Sequence, residues 1–322
     1  MILHLTNSTV AGAAAMLSAA QRAAGHESLC IQFSDVKPER LMFSQDILPL
    51  PLTDETAISI FQDILSRTKI VHVHNWLPGS VENKLLEILS TTDAQLVWHL
   101  HQGNLEHPVY RPDAPDVPWD KKIVVAHGFA RTFDDFIVMP NCVYRPAATK
   151  VQPRPRQSID PRKPLGVVFS PSSMTNSRWG AKTNGAFNQI VDSMKGTPFL
   201  QIFEAVGIHP SLLLTKRHYY DVTIDELITG SFHLVSYEGL MSGNVVFNNA
   251  DELSMEIFCA ALQAPEPPPF LKADPRSIMD ELFLLHTDRI RLLDLQKKSA
   301  EYYENYLHWS KIVAIFDQMY NC

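Results

Sequence analysis

Short apolar segments alternate with longer helical segments along the first half of the chain. Short runs rich in β-branched or aromatic residues and bounded by polar residues predict strands at Ile2–Leu5, Leu29–Phe33, Ile70–His74, Leu96–His101, Ile123–Ala126 and Phe136–Met139. Segments with the composition and spacing of helices lie between them, at Ala11–Ala24, Glu55–Ser66 and Val81–Ser90. This alternation predicts a parallel sheet with helices on both faces.

A proline-rich interruption precedes a second alternation of the same kind. Five prolines and five basic residues are mixed between Pro146 and Pro164, and such a segment forms neither a helix nor a strand ladder. Beyond it, strands are predicted at Leu165–Phe169, Phe199–Glu204, Phe232–Ser236 and Val245–Asn248. Helices are predicted at Gly185–Met194, Ile224–Thr229, Ser277–Leu285 and Arg289–Tyr306. We therefore expect an α/β protein with two Rossmann-like domains, residues 1–150 and 165–300, joined by a linker at 151–164.

Length and charge are consistent with two globular domains. The chain has 322 residues, of which 45% are hydrophobic, and common single domains are about half as long. The net charge of -7 argues against a nucleic-acid partner that is held by the surface as a whole, although a local basic patch could still bind a phosphate. Four scattered cysteines without a metal-ligand spacing favour reduced thiols.

The start of the chain bears on its location. It begins with an apolar strand instead of a basic leader, and no uncharged apolar run approaches the ~20 residues that span a bilayer. We expect a cytoplasmic protein, with room for peripheral contact at the inner face of a membrane.

Two groups of residues in the first half are candidates for ligand contact. A loop of small residues ending at Gly12 lies between a strand and a helix, where a backbone can approach a ligand and helix N–H groups attract anions; a tight turn would give the same pattern. The strands that end at His74 and His101 each carry two histidines two residues apart, hence on one face. Without a carboxylate at ligand spacing, these histidines favour a structural role or the orientation of a sugar over a metal site.

The second half contains a candidate phosphate site. A strand runs into Ser170 and Ser172, and Arg178 and Lys182 follow before the next helix. Hydroxyl groups and cations at the end of a strand predict a diphosphate site, because cations neutralise the charge that grows on a leaving phosphate. Alternatively, the two cations belong to an exposed, solvated loop.

The segment Glu238-Gly239-Leu240 is a second candidate in this half. The residues are predicted to begin a helix directly after a strand that ends at Ser236. A carboxylate at that point can accept two hydrogen bonds from a ribose diol, which makes Glu238 the candidate nucleotide ligand. A glutamate favoured by the helix dipole is the alternative.

In this order, the motifs resemble those of the GT-B glycosyltransferases, in particular the large retaining group known as family four. Motifs similar to those of the family occur throughout the chain, at Ile70–His74, Leu100-His101, Met139–Val143, Ser170–Ser172, Lys182 and Tyr237–Gly243. The resemblance implies two Rossmann-like domains that face a central cleft, with a nucleotide-sugar donor bound by the second domain. It also implies that residues 301–322 form a terminal helix that crosses back to the first domain.

Some positions differ from the family pattern. The family often has two glutamates with seven residues between them, and the first of these positions is Gly230 here. The aspartate that usually follows the histidine is Gln102, and the usual glycine after Pro-Asn is Cys142. These differences concern contacts with the sugar ring more than contacts with the nucleotide.

The function implied is transfer of a sugar from a UDP- or GDP-sugar to a glycan or lipid-linked acceptor, in the synthesis of a surface polysaccharide or glycoconjugate. Arg178 and Lys182 would stabilise the departing diphosphate in place of a metal ion, and His101 would lie near the reacting sugar. Gly12, Ser170, Ser172 and the Glu238–Leu240 segment would contact the donor. A nucleotide-sugar epimerase and a non-enzymatic GT-B partner subunit are the alternatives.

Overall fold

The computed structural model describes residues 1–7, 12–33, 47–75, 82–101, 117–144, 160, 162–170, 185–205, 208 and 210–321. Its first part is a parallel sheet of seven strands, β1 (Ile2–Thr6), β2 (Ser28–Gln32), β3 (Ile47–Pro49), β4 (Ile70–His74), β5 (Gln95–Leu100), β6 (Lys121–Val125) and β7 (Ile137–Met139). The strand order is β3-β2-β1-β4-β5-β6-β7. Three α-helices, α1 (Ala13–Ala23), α2 (Glu55–Ser66) and α3 (Glu82–Ser90), accompany this sheet, and a 3₁₀-helix (Gly128–Thr132) follows β6.

The second sheet is also parallel and has five strands, β8 (Leu165–Phe169), β9 (Leu200–Glu204), β10 (Val222–Ile224), β11 (Val245–Asn248) and β12 (Leu271–Lys272). Their order is β12-β11-β10-β8-β9. The helices of this part are α4 (Gly185–Lys195), α5 (Pro210–Arg217), α6 (Leu234–Met241), α7 (Glu252–Leu262), α8 (Ile278–Thr287), α9 (Arg289–Tyr302) and α10 (Trp309–Asn321), with a π-helix (Tyr303–Leu307) before α10. The predicted α/β class with two parallel sheets is confirmed.

Two predicted elements around residue 230 are wrong. The predicted helix at 224–229 is the end of β10 and a loop, and the predicted strand at 232–236 is the start of α6. The reason lies in two acidic side chains after β10. Asp225 accepts hydrogen bonds from the His233 N–H (2.6 Å) and the Ser236 hydroxyl (2.7 Å), which ties the residue before α6 and its first turn to the end of β10. Glu226 accepts backbone N–H bonds from the loop, including that of Ser231 at 3.1 Å.

Each sheet has one point at which the strand order changes direction. From β1, the chain first adds β2 and β3 on one side and then β4 on the other. From β8, it first adds β9 on one side and then β10 on the other. Ligand crevices of open parallel sheets lie outside the carboxyl ends of the strands at such switch points. The β1/β4 and β8/β10 strand ends are therefore the expected binding positions.

The carboxyl ends of the two sheets face each other. The backbone N–H of Gly128, just after β6, donates to the Ser231 hydroxyl at 2.9 Å. Arg131 forms hydrogen bonds of 2.8 and 2.9 Å with both carboxylate oxygens of Asp251, at the start of α7. These contacts join segments that follow strands of different sheets, so the carboxyl ends of the two sheets border one cleft.

The end of the chain returns to the first sheet. Helix α10 packs against α1, and the Tyr320 hydroxyl lies 2.7 Å from His72 Nδ1 and accepts from the Gln21 amide at 3.3 Å. Helix α9, by contrast, packs against α6 and β11 of the second sheet. Within the described ranges, no helix combines the length and the apolar character needed to cross a bilayer.

Candidate functional site

Five histidines form a cluster on one face of the first sheet: His4, His72, His74, His99 and His101. The pleat puts residues two apart on the same face, and the strand register places His4 beside His72 and His74 beside His99. Four of the rings are at most 1% exposed, whereas His101, just beyond β5, is partly exposed. The cluster thus extends from beneath α1 and α10 to the cleft.

A chain of hydrogen bonds runs through three of these rings. The Gln21 side-chain oxygen accepts from His4 Nε2 at 2.7 Å, which leaves His4 Nδ1 as an acceptor. His74 Nε2 then donates to His4 Nδ1 (2.9 Å), and His101 Nε2 donates to His74 Nδ1 (2.8 Å). With all three rings neutral, the position of the proton on each ring follows from the hydrogen bond before it in the chain.

Burial keeps the cluster uncharged. Desolvation lowers the pKa of His4 to about 4 and that of His101 to about 3. Desolvation, followed by repulsion from the neighbouring imidazoles, holds the pKa of His72, His74 and His99 well below their usual 6.5. Neither ring nitrogen of His99 has a hydrogen-bond partner in the described part of the chain, nor does His72 Nε2.

The end of β5 is fixed by Asn75, which adopts a positive φ of 55°. Its side-chain oxygen accepts from the His101 N–H at 2.7 Å, and its carbonyl accepts from the Trp98 indole at 2.8 Å. His101 is therefore held at the cleft by its backbone as well as by His74. Gly12 lies at the start of α1 with φ 83°, a conformation that favours glycine.

A buried arginine organises the β8/β10 switch point. The Arg217 side chain is fully buried, and its Nη2 donates to Glu238 at 2.9 Å and to the Ser170 hydroxyl at 2.8 Å. Its Nη1 donates to the Thr223 hydroxyl at 3.2 Å. The structure thus brings together two predicted ligand residues, Ser170 and Glu238, through a third residue that was not predicted to take part.

The remaining predicted site residues have different surroundings. Gly239 lies in α6 with no room for a side chain, because an added Cβ would come within 2.6 Å of Val246 Cγ2. Leu240 is fully buried in the core. Ser172, Arg178 and Lys182 lie outside the described residues.

Four charged residues near the cleft were not identified from the sequence: Arg217, Asp225, Glu226 and Asp251. Arg217 follows a lysine at the end of α5, where cations are common on exposed helix ends, so nothing in the pattern indicated its burial. Asp225 and Glu226 could have been identified from the sequence, because carboxylates that directly follow a buried strand lie at its carboxyl end, where binding sites of parallel sheets are found.

Comparison with known proteins identifies the fold. No family model matches the chain, and no curated protein sequence matches it significantly. Among solved structures, an alpha-glucosyltransferase in complex with UDP-glucose and DNA containing an abasic site superposes with a TM-score of 0.64 at 11% identity, covering 99% of this chain and 98% of its own.

Two further structures agree over a similar extent. The catalytic domain of starch synthase IV from Arabidopsis thaliana, bound to ADP and acarbose, has a TM-score of 0.59 at 10% identity and covers 99% of this chain and 98% of its own. Sucrose-phosphate synthase from Thermosynechococcus elongatus has a TM-score of 0.58 at 14% identity, with 100% and 98% covered. This chain therefore has the fold of the GT-B glycosyltransferases.

Proposed function

We propose that this protein transfers a glycosyl group from a nucleoside diphosphate sugar, a UDP- or GDP-sugar, to a hydroxyl of a glycan or lipid-linked acceptor. The observation that carries the proposal is the Ser170–Arg217–Glu238 cluster at the β8/β10 switch point. Full-length similarity in fold to glycosyltransferases, two of them solved with UDP-glucose or ADP, supports it.

In the proposed donor site, Glu238 accepts hydrogen bonds from the two hydroxyls of the nucleotide ribose. Arg217 Nη2 donates to this carboxylate at 2.9 Å and so fixes its orientation. The Ser170 hydroxyl and the backbone after β8 contact the diphosphate, and Arg178 and Lys182 neutralise the charge that develops when the glycosidic bond breaks. Because these cations stabilise the leaving group, the transfer itself needs no metal ion.

Across the cleft, we assign the acceptor side to the first sheet. His101 is the partly exposed member of the histidine cluster, and its low pKa leaves the ring neutral at physiological pH. A neutral imidazole can form a hydrogen bond with a hydroxyl of the sugar or of the acceptor. Because it carries no positive charge, it does not draw the diphosphate away from the cations of the donor site. Retention of configuration at the anomeric carbon, in the manner of family four, is part of the proposal.

A thermal-shift screen against UDP-, GDP-, CMP- and dTDP-sugars tests nucleotide binding. Stabilisation grows with the ratio of ligand concentration to dissociation constant, about 2.7 kcal/mol at a hundredfold excess. We expect the sugars of one of these four nucleotides, at millimolar concentration, to raise the unfolding temperature of the protein. If none of the four does, the proposal fails.

Replacing Glu238 by glutamine should weaken binding of that nucleotide by about 1–3 kcal/mol, because charge-assisted hydrogen bonds to the ribose are lost. Calorimetric titration of variant and wild type gives the difference. Thr223→Val is the matched control: it removes another hydrogen bond of Arg217 but leaves the carboxylate intact, and it should bind with wild-type affinity. Equal affinity of Glu238→Gln and wild type would remove Glu238 from the donor site.

Gly230 favours a second candidate, a non-catalytic GT-B partner subunit. It stands where the family often has a glutamate, and its φ of 74° together with the approach of an added Cβ to within 3.1 Å of Asp251 disfavours any side chain there. A chain that binds nucleotide or glycan but releases no nucleoside diphosphate with any acceptor would fit this candidate instead.

A further inference from the structure

His99 is buried without using its ring nitrogens. The proposed transfer uses only His101 from the histidine cluster, yet His99 lies at 1% exposure with both nitrogens unpartnered in the described part of the chain. A buried polar group without a hydrogen-bond partner destabilises the fold by the cost of removing it from water. A leucine or phenylalanine would avoid that cost, so the imidazole needs a ligand to account for it.

The neighbouring rings supply the rest of a metal-ligand set. One nitrogen from each of His74, His99 and His101 lies within 4.8 Å of the other two. Three nitrogens around a tetrahedral Zn²⁺, each at about 2.0–2.1 Å from the ion, are roughly 3.4 Å apart. The separation between His74 Nδ1 and His101 Nε2, 2.8 Å, therefore has to lengthen by roughly 0.6 Å, and those that involve His99 have to shorten by at most about 1.4 Å.

The orientation of His74 matches that of a metal ligand. Its Nε2–H donates to His4 Nδ1 (2.9 Å), and His4 is held in turn by Gln21. Histidines that bind metals usually donate the other ring N–H to such an outer partner. The His74 nitrogen that remains, Nδ1, is the one that points to His101.

We propose that His74, His99 and His101 bind one divalent transition-metal ion of the zinc type at the carboxyl end of β5. The ion replaces the proton between His74 Nδ1 and His101 Nε2, and that proton moves to His101 Nδ1, so each ring stays neutral and donates one lone pair. A ligand set made only of imidazoles suits zinc, copper or nickel rather than magnesium or calcium. The ion joins β4 to β5, and the partly exposed His101 provides its route from the cleft.

The alternative group of His4, His72 and His74 also lies within 4.8 Å. Both nitrogens of His4 are already hydrogen-bonded, and none of the three rings is more than 1% exposed. An ion bound by this group would have to break one of the two hydrogen bonds of His4, which include that to Gln21. It would also lack a partly exposed ligand through which to reach the site from solvent. The set that contains His99 is therefore the one assigned.

Untagged protein stripped with EDTA is titrated with Zn²⁺ by calorimetry and with Co²⁺ by visible absorption. We expect one ion per chain and the ligand-field bands of a tetrahedral, nitrogen-bound cobalt ion. His99→Phe removes a ligand without breaking a hydrogen bond, so it should keep the fold and bind Zn²⁺ at least tenfold more weakly. His308→Gln, a histidine before α10 and outside the cluster, is the control and should bind like wild type.

Two results would overturn the proposal: wild type that takes up no ion, or a His99→Phe variant as tight as wild type. If His99→Phe does not fold, His101→Gln at the partly exposed end of the cluster makes the same comparison, and unchanged affinity again counts against the site. The titrations need no sugar donor, so their outcome is independent of the proposed transferase activity.

Discussion

Arg217→Met is expected to destabilise the protein by about 3–5 kcal/mol, because it leaves the Glu238 carboxylate buried without its ion partner. The guanidinium is fully buried and donates to Glu238, Ser170 and Thr223. A methionine fills most of the volume but offers no donor. Urea unfolding at neutral pH measures the loss, which is a large fraction of the 5–15 kcal/mol typical of a folded protein.

The double variant Arg217→Met, Glu238→Gln separates the ion pair from packing. With both charges removed, no unpaired ion stays buried, so the double variant should be more stable than Arg217→Met alone. A loss below about 1 kcal/mol in Arg217→Met, or a double variant no more stable than the single one, would show that the pair does not hold the β8/β10 switch point together.

Acid should unfold the metal-free protein between about pH 6.5 and 5. The cluster histidines have lowered pKa values in the fold, about 4 for His4 and about 3 for His101, and about 6.5 when unfolded. The unfolded chain therefore binds more protons in this range, so the stability is fully present above pH 6.5 and is lost as the pH falls towards the folded values. At pH 5.5 His4 and His101 each cost between about 1 and 2 kcal/mol, and the lowered pKa values of the other three histidines add to this loss.

Urea unfolding in EDTA at pH 7.5 and 5.5 tests this expectation. His99→Phe removes one of the groups with a lowered pKa, so its loss of stability between the two pH values should be smaller than that of wild type. Equal stability of the wild-type protein at both pH values would mean that the rings are not buried and neutral.

Most of the sheet and helix alternation could be predicted because it depends on local hydrophobic pattern. The helix at Glu55–Ser66 and the strands at Leu165–Phe169 and Val245–Asn248 have the predicted limits. The prediction for Phe232–Ser236 is wrong because a short run with three apolar residues among five is compatible with a strand or a buried helix. Here the deciding interactions are the hydrogen bonds of His233 and Ser236 to Asp225, a residue that follows β10.

The candidate site could be predicted only in part, for a similar reason. The period of two along a strand places His72 and His74 on one face. The participation of His4 depends on the register of β1, and that of Tyr320 on the return of α10 to the first sheet. Contacts between elements distant in sequence have no local pattern, and the burial of Arg217 is the clearest case.

The chain passes between the two sheets twice, once between Tyr144 and Asp160 and once through the π-helix Tyr303–Leu307 that links α9 to α10. A single tether would let one lobe turn about any axis relative to the other. Two chain crossings leave fewer independent rotations than one would. Any relative movement of the two lobes therefore has to be accommodated at both crossings at once.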